Sequence, residues 1–335
     1  MNGNLPRIEI MAKTAHILLV SIMANCFCSA QTRAFTVLPW NDHGAAVSLT
    51  FDDARPVQLD VAVPELNKRH LRGTFFVIVS KLTRLDEWRQ AQADGHEIGN
   101  HTVAHEHPAA LTKEEEESQV EDAKNFLDSN FHANIITFAY PYMEMTSGIL
   151  FWVKKYNFAA RGWPQDPNLL YVRADADPDW YNLPGQPVFT KYDLGVYKGW
   201  TEKAISLGAW TTFQFHGIGD PSTGWEPIPT NTFTALLDYL KAEQPEGLWI
   251  APFGEVAAYL RAQRILESAK PDIRNGEQRF TWEVPALFPS GVVLKMRLAG
   301  QLLHVYQRGR ELRADRQHIY SVAFDARELV MRGAL

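Results

Sequence analysis

Three short segments hold the side chains that could do chemistry. Leu49-Thr50-Phe51-Asp52-Asp53 sets two adjacent carboxylates at the end of an apolar run. His101-Thr102-Val103-Ala104-His105 sets two imidazoles four residues apart, and Phe213-Gln214-Phe215-His216 ends another apolar run on a histidine. Residues four apart share one face of a helical turn, so the spacing predicts that His101 and His105 point the same way. Two histidines and one carboxylate make an open divalent-metal site that keeps a position for water. A His-xxx-His pair by itself is more often two surface histidines. Beside a strand-terminal Asp-Asp, the metal reading becomes the better one.

The elements that must position these groups follow from hydrophobic period. Ala45–Phe51, Gly73–Val79, Ile135–Tyr140 and Trp210–His216 are apolar runs of strand length. Val57–Arg69, Thr83–Asp94, Lys113–Ser129 and Thr230–Gln244 read as helices between them. Thr112 with Glu115 predicts a capping box, which makes Glu114–Glu117 a solvated first turn and not an acidic site. Alternating strand and helix imply an α/β class with a mainly parallel sheet or a barrel. Functional groups then gather at the C-terminal ends of the strands.

Residues 163–200 break the rhythm. Trp163-Pro164, Asp177-Pro178, Trp180-Tyr181 and Pro184-Gly185 predict a long irregular loop. Past about residue 268 Phe280–Val284 and Val292–Leu298 alternate at period two, and Leu302–Gln307 and His318–Phe324 read as further strands. Residues 271–335 are therefore expected to form a small β domain.

The 335 residues allow one large α/β domain, or one with a small companion. A chain that is 46% hydrophobic and 21% charged buries a core, which excludes disordered, collagen-like and coiled-coil classes. The balance of 33 basic against 39 acidic side chains gives no electrostatic reason to expect nucleic acid. Both cysteines, Cys26 and Cys28, fall in an apolar stretch that follows Lys13 and His16 and ends in Cys28-Ser29-Ala30. That is the layout of a signal peptide, and it is too short for a membrane span. Residues 1–30 are thus expected to be removed near Ala30, which leaves an exported (periplasmic or extracellular) protein without cysteine. A lipid anchor at Cys26 or Cys28 is the alternative, and Met11 is an alternative start.

Thr50-Phe51-Asp52-Asp53, His101-Thr102-x-x-His105 and Phe213-x-Phe215-His216, in this order, resemble the polysaccharide deacetylase family. The same family is called carbohydrate esterase family four, or the NodB-homology domain. The resemblance covers roughly residues 35–266 and sets a catalytic domain at 35–268. It implies a distorted (β/α) barrel, here with the small C-terminal β domain appended. By the same resemblance Asp53, His101 and His105 would bind Zn²⁺ or another divalent transition metal, and Asp52 would be the general base. The backbone N–H of Tyr142 would hold the oxyanion, and His216 would protonate the departing amine.

One family motif departs from its pattern. Arg-x-Pro-Tyr stands here as Ala139-Tyr140-Pro141-Tyr142, a form that resembles a variant branch of the family. The arginine that would orient the base is therefore missing from that position. Arg161 is the first candidate to replace it and Arg55 the second. Trp163, Trp180 and Trp225, with Asp220, are the expected sugar-binding groups; core packing is the commoner use of any one tryptophan. His107 is expected to be a hydrogen-bonded loop residue, and His96 to serve the strand that leads to His101. The implied reaction removes N-acetyl groups from amino-sugar units of an acetylated oligo- or polysaccharide. An O-acetyl esterase acting on xylan and a catalytically silent carbohydrate-binding protein remain as alternatives.

Overall fold

A computed structural model describes residues 34–333 except 165 and 300–302. The expected signal peptide lies outside the described residues. The chain enters on β1 (Phe35–Val37) and then alternates strand and helix. In order come β2 (Ala45–Asp52), α1 (Val63–Lys68), β3 (Thr74–Val77), α2 (Leu85–Ala93), β4 (Glu97–Asn100), α3 (Lys113–Phe131), β5 (Thr137–Ala139), α4 (Ser147–Tyr156) and β6 (Ala159–Gly162). Three two-residue strands follow: β7 (Val172–Arg173), β8 (Leu183–Pro184) and β9 (Gln186–Pro187). The rhythm then resumes with α5 (Leu194–Leu207), β10 (Ala209–Phe215), α6 (Thr230–Glu243), β11 (Leu248–Ile250) and α7 (Phe253–Ser268).

Strands β10, β2, β3, β4, β5, β6 and β8 pair side by side, all in parallel, and β11 runs parallel beside the first half of β2. The two open edges are joined by five residues. β8 pairs with β6 and β9 pairs with β10, on either side of Gly185. This nearly closes the sheet, so the architecture is a distorted (β/α) barrel.

Period-two alternation decides what lies inside. On β2, Ala45, Val47, Leu49 and Phe51 face outward and share a core with Leu66 of α1, Trp88 of α2, Tyr197 of α5 and Phe233 of α6. The other parity faces the barrel interior, where Ser48 accepts from the Trp210 indole at 3.1 Å and Thr50 accepts from Arg161 at 2.7 Å. Below them Phe253, the first residue of α7, plugs the interior edge-on against Phe76 at 5.8 Å.

The expected irregular loop is shorter than 163–200. Asp193 caps a regular helix, α5, by accepting from the N–H of Val196, and that local signal ends the loop. The reading of α3 holds, since Thr112 and Glu115 form the reciprocal capping box. After α7 come β12 (Pro271–Arg274), β13 (Glu277–Thr281), β14 (Val293–Leu298), β15 (Leu303–Gln307), β16 (Arg310–Leu312), β17 (Ile319–Ala323) and β18 (Glu328–Gly333). These strands make one antiparallel sheet ordered β1-β14-β17 and another ordered β12-β13-β18-β15-β16. The Tyr259 hydroxyl on α7 ties them to the barrel, donating to Leu38 O at 2.6 Å and accepting from Lys295 N at 3.1 Å. Among the described residues no helix is long and apolar enough to cross a membrane.

Candidate active site

The barrel strands end on the side chains that the sequence singles out. Asp52 closes β2 and, by parity, points inward. Continued alternation would turn Asp53 outward. Instead Asp53 takes φ 78° and Ala54 takes φ 53°, and this left-handed turn brings the second carboxylate to the same mouth. His101 follows β4. Its N–H donates to Val77 O at 3.1 Å, and its ring Nδ1 meets Ala139 O at 2.8 Å.

Residues 101–105 are not a helical turn, which corrects the spacing argument. The segment bends through Thr102 (φ 69°) and His105 (φ 61°), and its polar groups are tied down one by one. Asn100 Oδ1 accepts from Thr102 N at 2.8 Å, Thr102 Oγ1 accepts from His105 N at 2.9 Å, and Gln119 Oε1 on α3 accepts from Ala104 N at 2.9 Å. Tyr142 (φ 54°) and Met143 (φ 58°) add a third left-handed turn at this rim. Each such non-glycine residue costs about 1–3 kcal/mol, and such strain collects where function holds it.

The donor atoms of Asp53, His101 and His105 all lie within 4.8 Å of one another. Both histidine Nε2 atoms stand 3.7 Å from Asp53 Oδ1, too far to hydrogen-bond with it. The Ala139 carbonyl holds the proton of His101 on Nδ1, which leaves the Nε2 lone pair facing the cluster. Burial, and then the charge of His101, hold His105 down to about 4, so its imidazole is neutral. Burial would raise Asp53, but His101, His216 and Arg55 outweigh it and hold the carboxyl below the usual range. Two imidazoles and one carboxylate, fixed from behind, fit a borderline divalent cation.

Beside this cluster lies a buried ion pair. Arg161 donates from its two terminal nitrogens to Asp52 Oδ1 at 2.9 Å and Oδ2 at 2.6 Å, and both side chains are almost fully enclosed. Arg161 is the cross-strand partner of Ala139 in the β5–β6 register, so its guanidinium enters the mouth one strand over from that alanine. The guanidinium rests on the Phe76 ring, 5.0 Å from its centroid. Gly185 makes room for it, because a Cβ there would stand 2.7 Å from Arg161 Cδ. Burial alone would raise Asp52, but the charges of Arg161, His101 and His216 and the Arg161 hydrogen bonds outweigh it. The carboxyl sits far below its ordinary value. Arg55 goes elsewhere than expected: it pairs with Asp53 Oδ2 at 2.9 Å and not with Asp52.

His216 follows β10, with Nε2 3.7 Å from Asp52 Oδ2 and Nδ1 buried without a partner among the described residues. Burial holds it below the ordinary histidine value against the pull of Asp52 and Asp53. Trp225, 48% exposed, stands edge-on to the His216 ring at 5.0 Å. The Tyr142 ring, 51% exposed, touches His105 at 4.5 Å and stacks on His107 at 3.7 Å. His107 in turn bonds Glu144 at 3.0 Å, and His96 is spent on Gly73 N at 3.1 Å.

Not every candidate arrives. The Trp180 ring lies under the Arg261 guanidinium of α7 at 5.5 Å, against the interior core, because α7 offers it a cation and an apolar bed. Asp220 caps a short turn by accepting from Ser222 N at 2.9 Å, which uses its carboxylate locally. Trp163 is half-buried just past β6 and joins no contact of the cluster. Two residues at the mouth were not foreseen. Gln214 Nε2 donates to Asp52 Oδ2 at 2.9 Å, and Gln58 Nε2 donates to the main-chain oxygens of Asp52 at 2.6 Å and His216 at 3.1 Å. The sequence did carry a signal for Gln214, a polar residue with the parity of His216 set between Phe213 and Phe215.

The fold and this mouth define a (β/α)-barrel protein with a carboxylate–histidine centre at the C-terminal ends of its strands. Residues 41–160 match the family model described as polysaccharide deacetylase, so this part of the chain carries a domain of that type. A gellan lyase of Bacillus sp is 32% identical over 240 residues, which are 65% of this chain and 9% of that protein. A chitooligosaccharide deacetylase of Azorhizobium caulinodans is 30% identical over 128 residues, 37% of this chain and 60% of that one. The chain therefore spans less than two thirds of the length of these curated relatives. A solved Mycobacterium smegmatis structure assigned to the polysaccharide deacetylases superposes with a TM-score of 0.54 at 17% identity, covering 68% of this chain and 94% of that one. It shares the fold.

Proposed function

We propose that this chain is an exported, metal-dependent carbohydrate deacetylase that hydrolyses N-acetyl groups on amino-sugar units. The observation that carries the reading is one juxtaposition: three metal-type donors within 4.8 Å of one another, beside an enclosed Asp52–Arg161 pair. A binding protein has no use for an oriented base next to such a centre. The Azorhizobium caulinodans relative is a chitooligosaccharide deacetylase, which supports an N-acetyl substrate. In this reading residues 35–268 are the catalytic domain, and 271–335 form a β appendage.

Asp53, His101 and His105 would hold the ion, zinc by preference for this donor set. When bound, it supplies Lewis acidity toward a water and an acyl oxygen. The remaining work falls to the chain. Asp52, held ionised by Arg161, takes a proton from the water as its oxygen attacks the acetyl carbon. Charge growing on the carbonyl oxygen faces the main-chain N–H of Tyr142, a donor worth about 2.7–4 kcal/mol in comparable sites. His216 gives its proton to the nitrogen as the C–N bond breaks, and acetate and the free amine leave. Asp52 and Asp53 favour the protonated imidazole while burial favours the neutral one, so a proton held by His216 is readily given up. The half-exposed Trp225 offers a stacking face for a sugar beside it.

The test is acetate release from N-acetylated chitooligosaccharide and from acetylated xylan, with and without chelator. Turnover of the chito-substrate that chelator abolishes and zinc restores is the expected result. Turnover confined to xylan would move the assignment to an O-acetyl esterase. Turnover that survives full metal removal would overturn the centre.

A further inference from the structure

A carboxylate has two oxygens and about four acceptor positions. Three of those on Asp52 are filled. Arg161 takes one on each oxygen, at 2.9 Å on Oδ1 and 2.6 Å on Oδ2, and Gln214 Nε2 takes the second on Oδ2 at 2.9 Å. We propose that Gln214 is a positioning residue that closes Oδ2 and leaves Oδ1 as the oxygen of Asp52 able to accept a proton. This inference rests on the reading of Asp52 as the base.

The far end of the same side chain supports it. Gln214 is 4% exposed, and its Oε1 is buried with no hydrogen-bond partner among the described residues. An unpaired buried carbonyl destabilises a fold, and natural interiors contain few of them. Turning the amide over would set Oε1 against the Asp52 carboxylate, so the charge of Asp52 fixes the orientation and strands the oxygen. Packing does not require a polar group here. Methionine has nearly the same length and shape and would leave no unpaired atom.

Gln58 repeats the pattern. It sits in a single π-helical turn, Gln58–Ala62, that runs into α1. Its Nε2 bridges the main-chain oxygens of Asp52 and His216, and its own Oε1 is likewise buried and unpaired. One glutamine thus ties the main chain of Asp52 to the end of β10, and the other ties the carboxylate to the same strand. Two stranded carbonyls beside one aspartate have no structural benefit to explain them, whereas a fixed carboxylate does.

The experiment compares Gln214→Met, Gln214→Glu and Asp52→Asn with the parent. It measures kcat and KM for acetate release from N-acetylated chitooligosaccharide, zinc by elemental analysis, and thermal melting of the protein as isolated. Gln214→Met should lower kcat about 10-fold, as misplacement of a reacting group does, with KM and zinc content unchanged. Its melting temperature should equal or exceed that of the parent. Gln214→Glu, the same shape with a second carboxylate facing Asp52, should lose more turnover and should also melt earlier. Parental kcat in Gln214→Met would overturn the proposal. So would a Gln214→Met protein that melts lower or fails to fold, because that outcome marks the amide as ordinary packing. Asp52→Asn separates the two readings. Full activity there removes the base itself, whereas an inactive Asp52→Asn beside a parental Gln214→Met removes only the positioning role.

Discussion

Two carboxylates stand at opposite ends of the barrel and are treated in opposite ways. Asp52, at the C-terminal mouth, is gripped by a guanidinium, and its pKa is driven far down. Glu97, the first residue of β4, lies at the N-terminal end beside a cavity of about 670 Å³ that it lines with Thr137, Gly254, Glu255 and Lys295. Among the described residues no cation pairs with it. Thr74 and Thr137 hydroxyls donate to it at 2.7 Å each and Gly254 N at 2.8 Å, and these neutral donors lose to burial, which pushes the carboxyl up. Glu97 therefore ties β3, β4, β5 and the start of α7 together as a hydrogen-bonding hub. The contrast teaches that enclosure alone does not make a carboxylate reactive. Its partners decide whether it keeps a charge.

The comparison breaks most severely if Arg161 is removed. Arg161→Ala strands the Asp52 charge in the interior, which should cost about 3–5 kcal/mol of stability and about 100-fold or more in turnover. With the guanidinium gone, burial dominates Asp52. Its pKa rises, and the acidic limb of the pH–rate profile moves to higher pH. Urea unfolding and a pH profile would check both effects, and a variant as stable as the parent would contradict the picture.

Gly185→Ala is a gentler version of the same break. The added Cβ would push on Arg161 Cδ from 2.7 Å, so the guanidinium must shift while remaining present. A loss of about 10-fold in turnover with zinc content unchanged is expected. Unaltered kinetics would show that Asp52 does not depend on the fine placement of its partner.

The smallest effect belongs to the other end. The pKa of Glu97 is raised on folding, so between its unfolded value of 4.5 and its folded value the native protein holds a proton that the unfolded chain has released. Stability should therefore fall as pH rises through that window. Asp52 has the opposite sign: its contribution is present above 3.8 and is lost only as pH falls through its depressed folded value. Glu97→Gln should flatten the first slope and leave turnover untouched, which melting curves from pH 4 to 9 would detect. A slope that persists in the variant would assign it to another group, with Glu255, also pushed up by burial and by Glu97, the next candidate.

Much of this was legible in the residues. Thr50–Asp53 and the strand ending at His216 announced their positions because apolar runs of strand length are direct signals. The convergence of His101 and His105 was foreseen through the wrong geometry, since the left-handed Thr102 and His105 leave no mark in composition. Helix α7 went unread because Val256, Ala257, Ala258, Tyr259 and Leu260 are all buried, which erases the one-sided stripe that betrays a surface helix. Trp180 and Asp220 were read by residue type, and type does not tell which neighbour a ring or carboxylate will find. Gln214 and Gln58 passed unnoticed because an amide in a strand or a helix carries meaning only once its partner is known.

The five residues that close the barrel also set an order of events. Asp52 and Arg161 are 109 positions apart, and the β2–β10 seam joins residues 163 apart at Thr50 and Phe213. Loops of that length must be closed before any contact rewards them, so this seam forms late in folding. A chain emerging during synthesis holds Asp52, Asp53, His101 and His105 long before it holds Gly185 or His216. The metal-type donors can meet early, while the base is aligned only when the last edge docks. A partly folded chain would in that case capture an ion yet remain inert, and activity would mark completed closure.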